Sequence, residues 1–494
     1  MIIILCITSL AIYLGYHLYW KRRNFPPGPI PFPLVGNILS LQLPPPGYVA
    51  LNNWRKKYGD VYTFWLGNSP YISINSYEKL KETFVKDGDT YVGKKEQKFL
   101  TDFRGGSYGI VETNGELWRT HRRFALTNLR DFGLGKDLMQ DRILIEVEDL
   151  FKKFDATAGS EVDIPVEFYT SVANVINQAT FGFRFEGEEY ETFLKLKKLI
   201  DFQNESMKDP KVFLRLFLPF IAKLIPGPNM ENMFDEFKTT FFGFFNKNIE
   251  IHRNKIDYDE QENNDYCEAY LKEQRKREAE GDFETFSNVQ LANTCLDLWF
   301  AGLLTTTTTI TWSLAYILNT PGIQEKIHEE MDRVIGNDRL ITTSDKNDLS
   351  YMNAVITESQ RCANIFPINL FHETTRDTTI YGYPVKAGTG VVAQVSCVMM
   401  DENVFPDPER FNPDRFIDEN GKFKKIDEVL PFSIGKRQCL GEGLARMELF
   451  LFLANFLNRY KITVKADKMP SIDKTLDSTV TPRDFFGVLE KRWL

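Results

Sequence analysis

The sequence predicts a mainly α-helical protein: one large helical domain with a small β-rich portion, preceded by a single transmembrane helix. Most of the chain carries the apolar spacing of amphipathic helices, broken by proline and glycine. Strand-like runs are short, and one uninterrupted apolar run lies at the N-terminus. With 494 residues, 43% of them hydrophobic, the chain can bury a large core, and no internal repeat or linker divides its body.

The composition excludes several classes of protein. The formal net charge is −8, whereas nucleic-acid-binding domains usually carry a basic face, so no nucleic-acid partner is expected. The six cysteines include no Cys-x-x-Cys pair, which indicates a reduced, intracellular compartment rather than a disulfide framework. A zinc hydrolase of the His-Glu-x-x-His type has no support, because that motif is absent from the sequence.

The first 23 residues predict a membrane anchor. Residues 2–20 form an almost uncharged apolar stretch that, at ~1.5 Å per residue, matches the thickness of a bilayer core. Aromatic residues gather at its end, and Lys21, Arg22 and Arg23 follow, which places the rest of the chain on the cytoplasmic side. The alternative is a cleaved signal peptide, but a basic n-region and a small-residue cleavage site are both missing. We therefore expect an uncleaved, single-pass anchor.

A proline-rich segment at 24–37 separates this anchor from the body of the protein. Its prolines fix φ and lack N–H donors, so the segment is expected to be stiff and extended. A proline-rich recognition ligand is the alternative, but the position directly after an anchor favours a hinge that holds the body at a set angle to the membrane. Residues 38–494 then form the body as a single domain.

The first half of the body predicts two strands followed by helices. Residues 61–76 are typical of two strands around a Gly-Asn-Ser-Pro turn, and residues 115–127 of a short basic helix. The pattern from 138 to 255 is mainly helical, with breaks near four prolines: Pro210, Pro219, Pro226 and Pro228. The dense charge of residues 257–282 predicts a solvated helix and its loop.

The second half centres on one long helix. Residues 287–319 contain no proline, and the pattern stops at Thr320-Pro321-Gly322. A helix of this length is expected to cross the domain. Its middle holds six threonines, which are mediocre helix formers. Later elements are predicted as helices at 323–336, 351–364 and about 441–459, strand-like pieces at 379–399, and an irregular proline-rich segment at 405–417.

One cysteine stands apart from the others. Cys439 lies between glycines and a basic pair just before a helix, and a helix N-terminus with cations such as Lys436 and Arg437 is expected to lower a thiol pKa. Gly435 and Gly441 permit a tight turn and close approach to a flat group. These residues predict a thiolate metal ligand, with a plain loop before a helix as the alternative. The other cysteines are expected to be ordinary buried residues: Cys6, Cys267, Cys295, Cys362 and Cys397.

The run Phe432-x-x-Gly435-x-Arg437-x-Cys439-x-Gly441 resembles the haem-binding signature of the cytochrome P-450 family. The resemblance extends over the whole chain and is nearest to the animal microsomal drug- and lipid-oxidising branch. It implies the cytochrome P-450 fold, with residues 38–494 as the haem-binding catalytic domain. The implied cofactor is haem b (iron protoporphyrin IX), with Cys439 as the axial ligand of the iron.

Further family motifs occur in the expected order. Trp118-x-x-x-Arg122 resembles the element that hydrogen-bonds a haem propionate, and His372 stands where microsomal members place a second propionate partner. The family usually has proline where this chain has Phe371. Without the resemblance, Arg122 would be surface charge and Trp118 would be core.

A buried structural triad is also implied. Glu358-Ser359-Gln360-Arg361 resembles the family's Glu-x-x-Arg, and Pro408-Glu409-Arg410-Phe411 resembles the element whose arginine completes an ion-pair triad with it. By themselves, Glu358 and Arg361 would be an ordinary i,i+3 helix pair. We expect Glu358, Arg361 and Arg410 to be structural rather than catalytic.

The long helix departs from the family pattern at one position. The usual family sequence here is Ala/Gly-Gly-x-Asp/Glu-Thr-Thr. Gly302 and Thr305 match it, and the resemblance implies that both are catalytic residues. Leu304 stands where the family has the acid. Leucine cannot shuttle protons, and Asp297 lies ~10 Å away along the axis, too far to substitute directly. Two alternatives to a monooxygenase therefore stay open: a haem-thiolate isomerase or dehydratase, and a non-catalytic haem or lipid binder.

The resemblance implies a monooxygenase that inserts one oxygen atom from O₂ into a lipophilic substrate. Electrons come from NADPH through a flavoprotein cytochrome P-450 reductase, with cytochrome b5 as a possible second partner, and basic residues from Arg119 to Arg130 offer a docking face. The protein is expected in the endoplasmic reticulum membrane, with fatty acid, steroid and xenobiotic substrates all open. The residues in pocket-lining segments are Phe183, Phe213, Phe300, Ala301, Ile368 and Phe371.

Overall fold

A computed structural model describes residues 1–493 except 43–48, 132–136, 158, 208, 210, 213–229, 261, 338 and 477–478. The pocket residue Phe213 and the breaks expected at Pro210, Pro219, Pro226 and Pro228 lie outside the described residues.

The described part of the chain is mainly helical, as predicted. The helices up to the charged region are α1 Ile2–Leu18, α2 Ile38–Gln42, α3 Val49–Tyr58, α4 Tyr77–Leu80, α5 Lys98–Arg104, α6 Gly115–Asp131, α7 Asp137–Ala156, α8 Ile164–Phe181, α9 Glu188–Met207 and α10 Met230–Lys255. The later helices are α11 Tyr266–Ala279, α12 Asn288–Asn319, α13 Ile323–Val334, α14 Ser350–Ala363, α15 Val395–Met399 and α16 Glu442–Arg459. Single turns of 3₁₀ or π helix lie at Trp20–Arg22, Lys81–Lys86, Thr343–Asn347, Pro413–Phe416 and Ala466–Lys468.

The strands form small sheets beside the helical core. They are β1 Val61–Leu66, β2 Ser69–Ile74, β3 Glu161–Asp163, β4 His372–Glu373, β5 Thr378–Ile380, β6 Tyr383–Val385, β7 Gly390–Ala393, β8 Tyr460–Thr463, β9 Thr475–Leu476, β10 Val480–Thr481 and β11 Phe486–Lys491. The largest has the order β1-β2-β7-β4, in which β2 and β7 run parallel and the other pairs antiparallel. This sheet matters for function because β4 begins at His372.

Two expectations about elements were wrong in part. Residues 395–399, expected to be strand-like, form the short helix α15. The charged region was expected to be solvated, but Tyr266, Cys267 and Tyr270 of α11 are buried, with Tyr266 packed edge-on against Phe124 of α6. The apolar face of α11 occupies its first two turns only. The charged residues around it therefore obscure the apolar pattern in the sequence.

The N-terminal segment packs on the β1–β2 hairpin. Helix α1 has no buried residue, and Ile2–Arg22 is long and apolar enough to cross a membrane. The ammonium of Lys21 donates to the carbonyl of Asn68 at 3.0 Å, and Thr63 N–H donates to the carbonyl of Pro27 at 3.1 Å. A Cβ at Gly28 would lie 1.9 Å from the carbonyl oxygen of Thr63. Only a glycine at position 28 therefore allows the proline-rich segment to approach β1 this closely.

The long helix α12 crosses the core at the position the sequence predicts. The Ser287 hydroxyl caps it by accepting from the Gln290 N–H at 3.3 Å, and Pro321 follows its end. Several of its threonines donate to the carbonyl four residues earlier, as Thr307 does to Leu303 at 2.9 Å, so their hydroxyls are satisfied inside the apolar core.

Candidate active site

The loop that carries Cys439 is held tightly before α16. The Cys439 N–H donates to the carbonyl of Phe432 at 2.9 Å, and Gly441 is the N-cap of the helix. Gly435 has φ +86°, and a Cβ there would lie 2.2 Å from the carbonyl oxygen of Phe84. Only glycine fits at position 435, so the signature glycine sets the course of the loop.

The thiol environment differs from the expectation. The Cys439 side chain is exposed, yet protein atoms surround it closely enough that burial raises its pKa, opposed by the N–H of Gly441 and the charge of Arg122. The predicted lowering by Lys436 and Arg437 was wrong, because Lys436 pairs with Asp89. A coordinated metal deprotonates a thiol by itself, so the ligand role does not depend on a low intrinsic pKa.

Arg437 points away from the thiol and into the protein. Its guanidinium donates to the carbonyls of Val92 at 3.0 Å, Ile110 at 3.2 Å and Thr113 at 2.7 Å, and it lies over the Trp118 ring at 3.9 Å. Burial, with the neighbouring charge of Arg122, lowers the pKa of Arg437 to about 9. The same residue thus brings the Cys439 loop and α6 together.

Two more cations gather beside this half-buried arginine, of which Lys94 is buried and Arg122 is half-buried. Arg122 donates to the carbonyl of Gln438, and Lys94 donates to the carbonyl of Phe371 at 3.1 Å. Burial lowers the pKa of both side chains, that of Lys94 to about 7. Among the described residues, none of Lys94, Arg122 and Arg437 has a carboxylate within ion-pair distance. Buried charges without counter-ions are costly, so this cluster suits an anionic ligand.

Two further polar groups at this place have no partner within the described part of the chain. The indole N–H of Trp118 and Nδ1 of His372 are both buried and unbonded. Burial, with the charges of Lys94 and Arg437, holds the pKa of His372 well below its usual range. The unsatisfied Trp118 donor costs ~1–3 kcal/mol, and a carboxylate would accept from it and would also favour the protonated form of His372, whose Nδ1 can then donate. The set of three cations and two orphaned groups fits the two propionates of haem.

One face of α12 is accessible although the helix is otherwise buried. Ala301 is exposed, and Leu304, Thr305 and Thr308 are half-buried, at the i, i+3, i+4 and i+7 spacing of a single helix face. The Thr305 hydroxyl donates to the carbonyl of Ala301 at 2.6 Å. Gly302 faces elsewhere: a Cβ there would lie 2.8 Å from Cδ1 of Ile176 on α8. The structure therefore gives Gly302 a packing role, whereas Thr305 lies on the accessible face.

The buried ion-pair triad uses a different arginine from the one expected. Arg361 grips Glu358 at 2.7 and 2.9 Å, and both side chains are fully buried. The third member is Arg415, whose Nε lies 3.3 Å from Glu358, whereas Arg410 is exposed. The prediction for Arg410 was wrong because the chain contains a second Pro-x-Arg-Phe, Pro413 to Phe416, and the turn there returns to α14.

The expected pocket residues fall into separate groups. Phe300 packs against Phe237 and Phe241 of α10 at centroid distances of 5.4 and 4.9 Å, beside the accessible face of α12. Ile368 and Phe371 pack instead with the cluster around the main sheet. Phe183 lines a surface cleft between α8, α10 and α11. The structure therefore does not bring Phe183 together with Phe300 or with the pair Ile368 and Phe371.

Sequence reasoning missed three residues near the site. Asp297 was considered only as a distant acid, but it pairs with Arg104 at 2.5 Å and accepts the Ile110 N–H at 2.6 Å, which ties α12 to the loop after α5. Glu448 of α16 is fully buried, accepts the Thr306 hydroxyl at 3.3 Å, and has a pKa raised to about 8 by burial. Lys94 belongs to no motif. Glu448 alone had a signal in the sequence, since it is the one acidic residue inside the apolar run of residues 447–457.

These features define a haem-thiolate protein: a cysteine just before a helix, a cluster of partly buried cations that suits two carboxylates, and an accessible helix face. The comparisons with known proteins agree. The family model of cytochrome P450 matches residues 26–487, and the chain belongs to that family. It is therefore a haem-dependent monooxygenase, and its N-terminal segment Ile2–Arg22 is long and apolar enough to cross a membrane.

The chain is similar along nearly its whole length to several curated relatives. It is 33% identical to cytochrome P450 2C23 of Rattus norvegicus over 93% of this chain and 92% of the relative. It is 34% identical to cytochrome P450 2J2 of Homo sapiens, over 97% and 94%, and 34% identical to cytochrome P450 2H1 of Gallus gallus, over 94% and 93%.

Proposed function

We propose that this enzyme oxidises lipophilic small molecules, from the fatty acid, steroid or xenobiotic classes, at the C–H bond that faces Ala301 and Thr305. The observation that carries the proposal is the accessible face of α12, which is apolar except for threonine hydroxyls and is flanked by the aromatic rings of Phe300 and Phe237. Binding an apolar substrate to such a surface is favourable, because it removes apolar area from water. The surface offers no charged group to a polar substrate.

The chain's own residues would have distinct roles in this reaction. Cys439 would ligate the iron, and Arg122, Arg437, Trp118 and His372 would hold the propionates. When bound, haem supplies the oxygen chemistry, in which a thiolate ligand favours O–O cleavage. Thr305 can hold a proton or a water at its Oγ1, which already donates to Ala301. The Leu304 side chain would exclude water from the position beside Thr305, and it has no proton to transfer.

Electrons would come from NADPH through a flavoprotein reductase, with cytochrome b5 as a second donor. Support comes from α6, where Arg123 is exposed one residue after Arg122, which bonds to the Cys439 loop. A cationic surface next to the thiolate is where an acidic electron donor would bind productively. Arg119 on the same helix is partly neutralised by Glu116.

The proposed location is the endoplasmic reticulum membrane, with the catalytic domain on the cytoplasmic face. The exposed apolar helix α1 and the basic residues after it support this orientation. Because Lys21 and the proline-rich segment are bonded to the β1–β2 hairpin, the catalytic domain would keep a fixed orientation to the bilayer.

A second candidate is a haem-thiolate isomerase or dehydratase that acts on a peroxide. It is favoured by Leu304 and by the engagement of Asp297 with Arg104, which leave no free carboxylate beside Thr305 among the described residues of α12. Such an enzyme needs no delivered protons and would turn over without NADPH.

The test is reconstitution of the full-length protein in vesicles with the reductase, NADPH and ¹⁸O₂, using panels of fatty acids, steroids and drugs. The proposal predicts products that contain one ¹⁸O atom and depend on NADPH. Ala301→Phe should abolish substrate-induced shifts of the haem spectrum, whereas Val289→Phe, an exposed position near the start of the same helix, should not. Turnover of hydroperoxides without NADPH would favour the second candidate. Spectral binding without any product would indicate a non-catalytic binder.

A further inference from the structure

One exposed carboxylate lies among the cations beside the Cys439 loop. The ammonium of Lys436, three residues before Cys439, pairs with Oδ1 of Asp89. A guanidinium nitrogen of Arg119 on α6 lies 3.6 Å from the same oxygen. Arg376, after β4, is a third cation in electrostatic reach of this carboxylate. Asp89 is therefore shared by cations from three separate segments of the chain.

The backbone around Asp89 is held in place by the segment after β4. The Thr375 hydroxyl donates to the carbonyl of Asp89 at 2.7 Å, and the Thr375 N–H donates to the carbonyl of Thr90 at 2.8 Å. A Cβ at Gly88 would lie 3.3 Å from Cγ of Lys436, so the turn packs directly against that side chain. The contact between Asp89 and Lys436 is thus set by the fold.

The ion pairs of Asp89 are open to solvent. The exposed fractions of the side chains are 58% for Asp89, 44% for Lys436 and 45% for Arg119. The hydrogen bond from Lys436, together with the nearby positive charges, lowers the pKa of the Asp89 carboxyl, which is therefore ionised at neutral pH. Exposed ion pairs contribute little to stability, because water and salt screen them. These cations can therefore exchange Asp89 for another carboxylate at little cost.

We infer, on the basis of the electron donor proposed above, that Asp89 competes with the acidic partner for the cations beside the Cys439 loop. In the free enzyme Asp89 pairs with Lys436 and Arg119, and a carboxylate of the flavoprotein reductase takes its place on binding. Opposite charges across an interface set the rate of encounter and favour one orientation. Asp89 therefore weakens the binding of the donor, whereas Arg123 stays exposed for the first encounter.

The competing interpretation is that Asp89 serves only to order the Cys439 loop. The two interpretations differ in the effect of Asp89→Asn, which removes the charge and keeps the size of the side chain. An ordering role predicts a weakened red-shifted band in the carbon monoxide difference spectrum and no gain in binding. Competition predicts an unchanged band and tighter binding of the reductase that depends on salt.

The experiment uses the full-length holoenzyme and the full-length reductase in phosphatidylcholine vesicles with NADPH under carbon monoxide. The reductase concentration that gives the half-maximal rate of haem reduction is measured at low and at high salt. Asp89→Asn should lower this concentration about 2- to 5-fold at low salt, the effect of one exposed ion pair, and the difference should disappear at high salt. The matched control is Asp102→Asn, which removes the same charge from the exposed pair with Lys98 on α5 and should behave like the wild type.

A double-mutant cycle tests the competition directly. Lys436→Met should weaken reductase binding more in the Asp89→Asn background than in the wild type, because in the wild type Asp89 already occupies the Lys436 ammonium. Equal losses in the two backgrounds would overturn the inference.

Three other results would also contradict it: wild-type binding by Asp89→Asn at low salt, a gain of equal size in Asp102→Asn, or loss of the red-shifted band in Asp89→Asn. Each of these, with normal reduction of the wild type, would refute the inference alone. A reductase that reduces neither the wild type nor any variant at any salt concentration would refute the proposed electron donor as well.

Discussion

Arg410 and Arg415 show how far two residues in the same local pattern can differ. Each follows a proline by two positions and precedes a phenylalanine, yet Arg410 is exposed whereas Arg415 reaches the fully buried Glu358. Arg415 also donates to the carbonyl of Asp407 at 2.7 Å, so it ties the irregular segment to α14. The contacts therefore give Arg415 the structural role and leave Arg410 free of it.

Replacing these two arginines separates their roles. Arg415→Ala should lower the free energy of unfolding by about 2–3 kcal/mol, because a buried carboxylate loses a charged hydrogen-bond donor. Arg410→Ala should change it by less than about 0.5 kcal/mol, as expected for an exposed side chain. Urea unfolding of the holoprotein followed by circular dichroism measures both. Equal losses of stability in the two variants would contradict the assignment of Arg415 to the triad.

Leu304 is the residue whose chemistry departs most from the family pattern. It lies on the accessible face of α12 one residue before Thr305, where a carboxyl group could pass protons to the Thr305 hydroxyl. Leu304→Glu should raise the amount of product formed per NADPH consumed several-fold and reduce peroxide release. Leu304→Gln has the same size and no titratable proton, so it should leave this coupling unchanged. The proton-delivery account fails if neither variant alters the ratio of product to NADPH.

At the scale of the elements, His252 joins α10 to α11. Its Nε2 faces the Asp265 carboxylate at 3.0 Å, and its Nδ1 faces the carbonyl of Asn248 at 2.8 Å. Both neighbours are acceptors, so only the doubly protonated ring satisfies both. Burial disfavours that cation, but Asp265, with a smaller contribution from Glu268, outweighs it and raises the pKa of His252 above 6.5. Asp265 also caps α11 through the Glu268 N–H at 2.9 Å.

This linkage gives a pH dependence with a definite sign. A histidine whose pKa is raised by folding stabilises the protein fully below its unfolded pKa, and the contribution is lost as pH rises through the folded value. The free energy of unfolding of the wild type, measured with urea, should therefore exceed that of His252→Gln at pH 6 by about 1 kcal/mol, and the difference should vanish by pH 9. A difference that grows with pH would show that His252 is neutral in the folded protein.

At the scale of the whole molecule, the sequence predicts where helices begin and end better than it predicts which distant residues contact each other. Helix α12 begins one residue from its expected start, because Ser287 caps it and Thr320-Pro321 ends it, and both signals are local. The partner of Glu358 depends on a chain reversal over 50 residues later, which no local signal encodes. Lys94 was not found for the same reason: its neighbours Phe371 and Arg437 come from distant segments.

The central claim is that Cys439 ligates the haem iron as a thiolate, and the most direct measurement is the carbon monoxide difference spectrum of the dithionite-reduced protein in membranes. The wild type should show the strongly red-shifted Soret band that thiolate ligation produces. Cys6→Ser, the same substitution at an exposed position of α1, should keep this band, and Cys439→Ser should lose it. A red-shifted band that persists in Cys439→Ser, or a wild-type band at the position of histidine- or thiol-ligated haem, would contradict the claim.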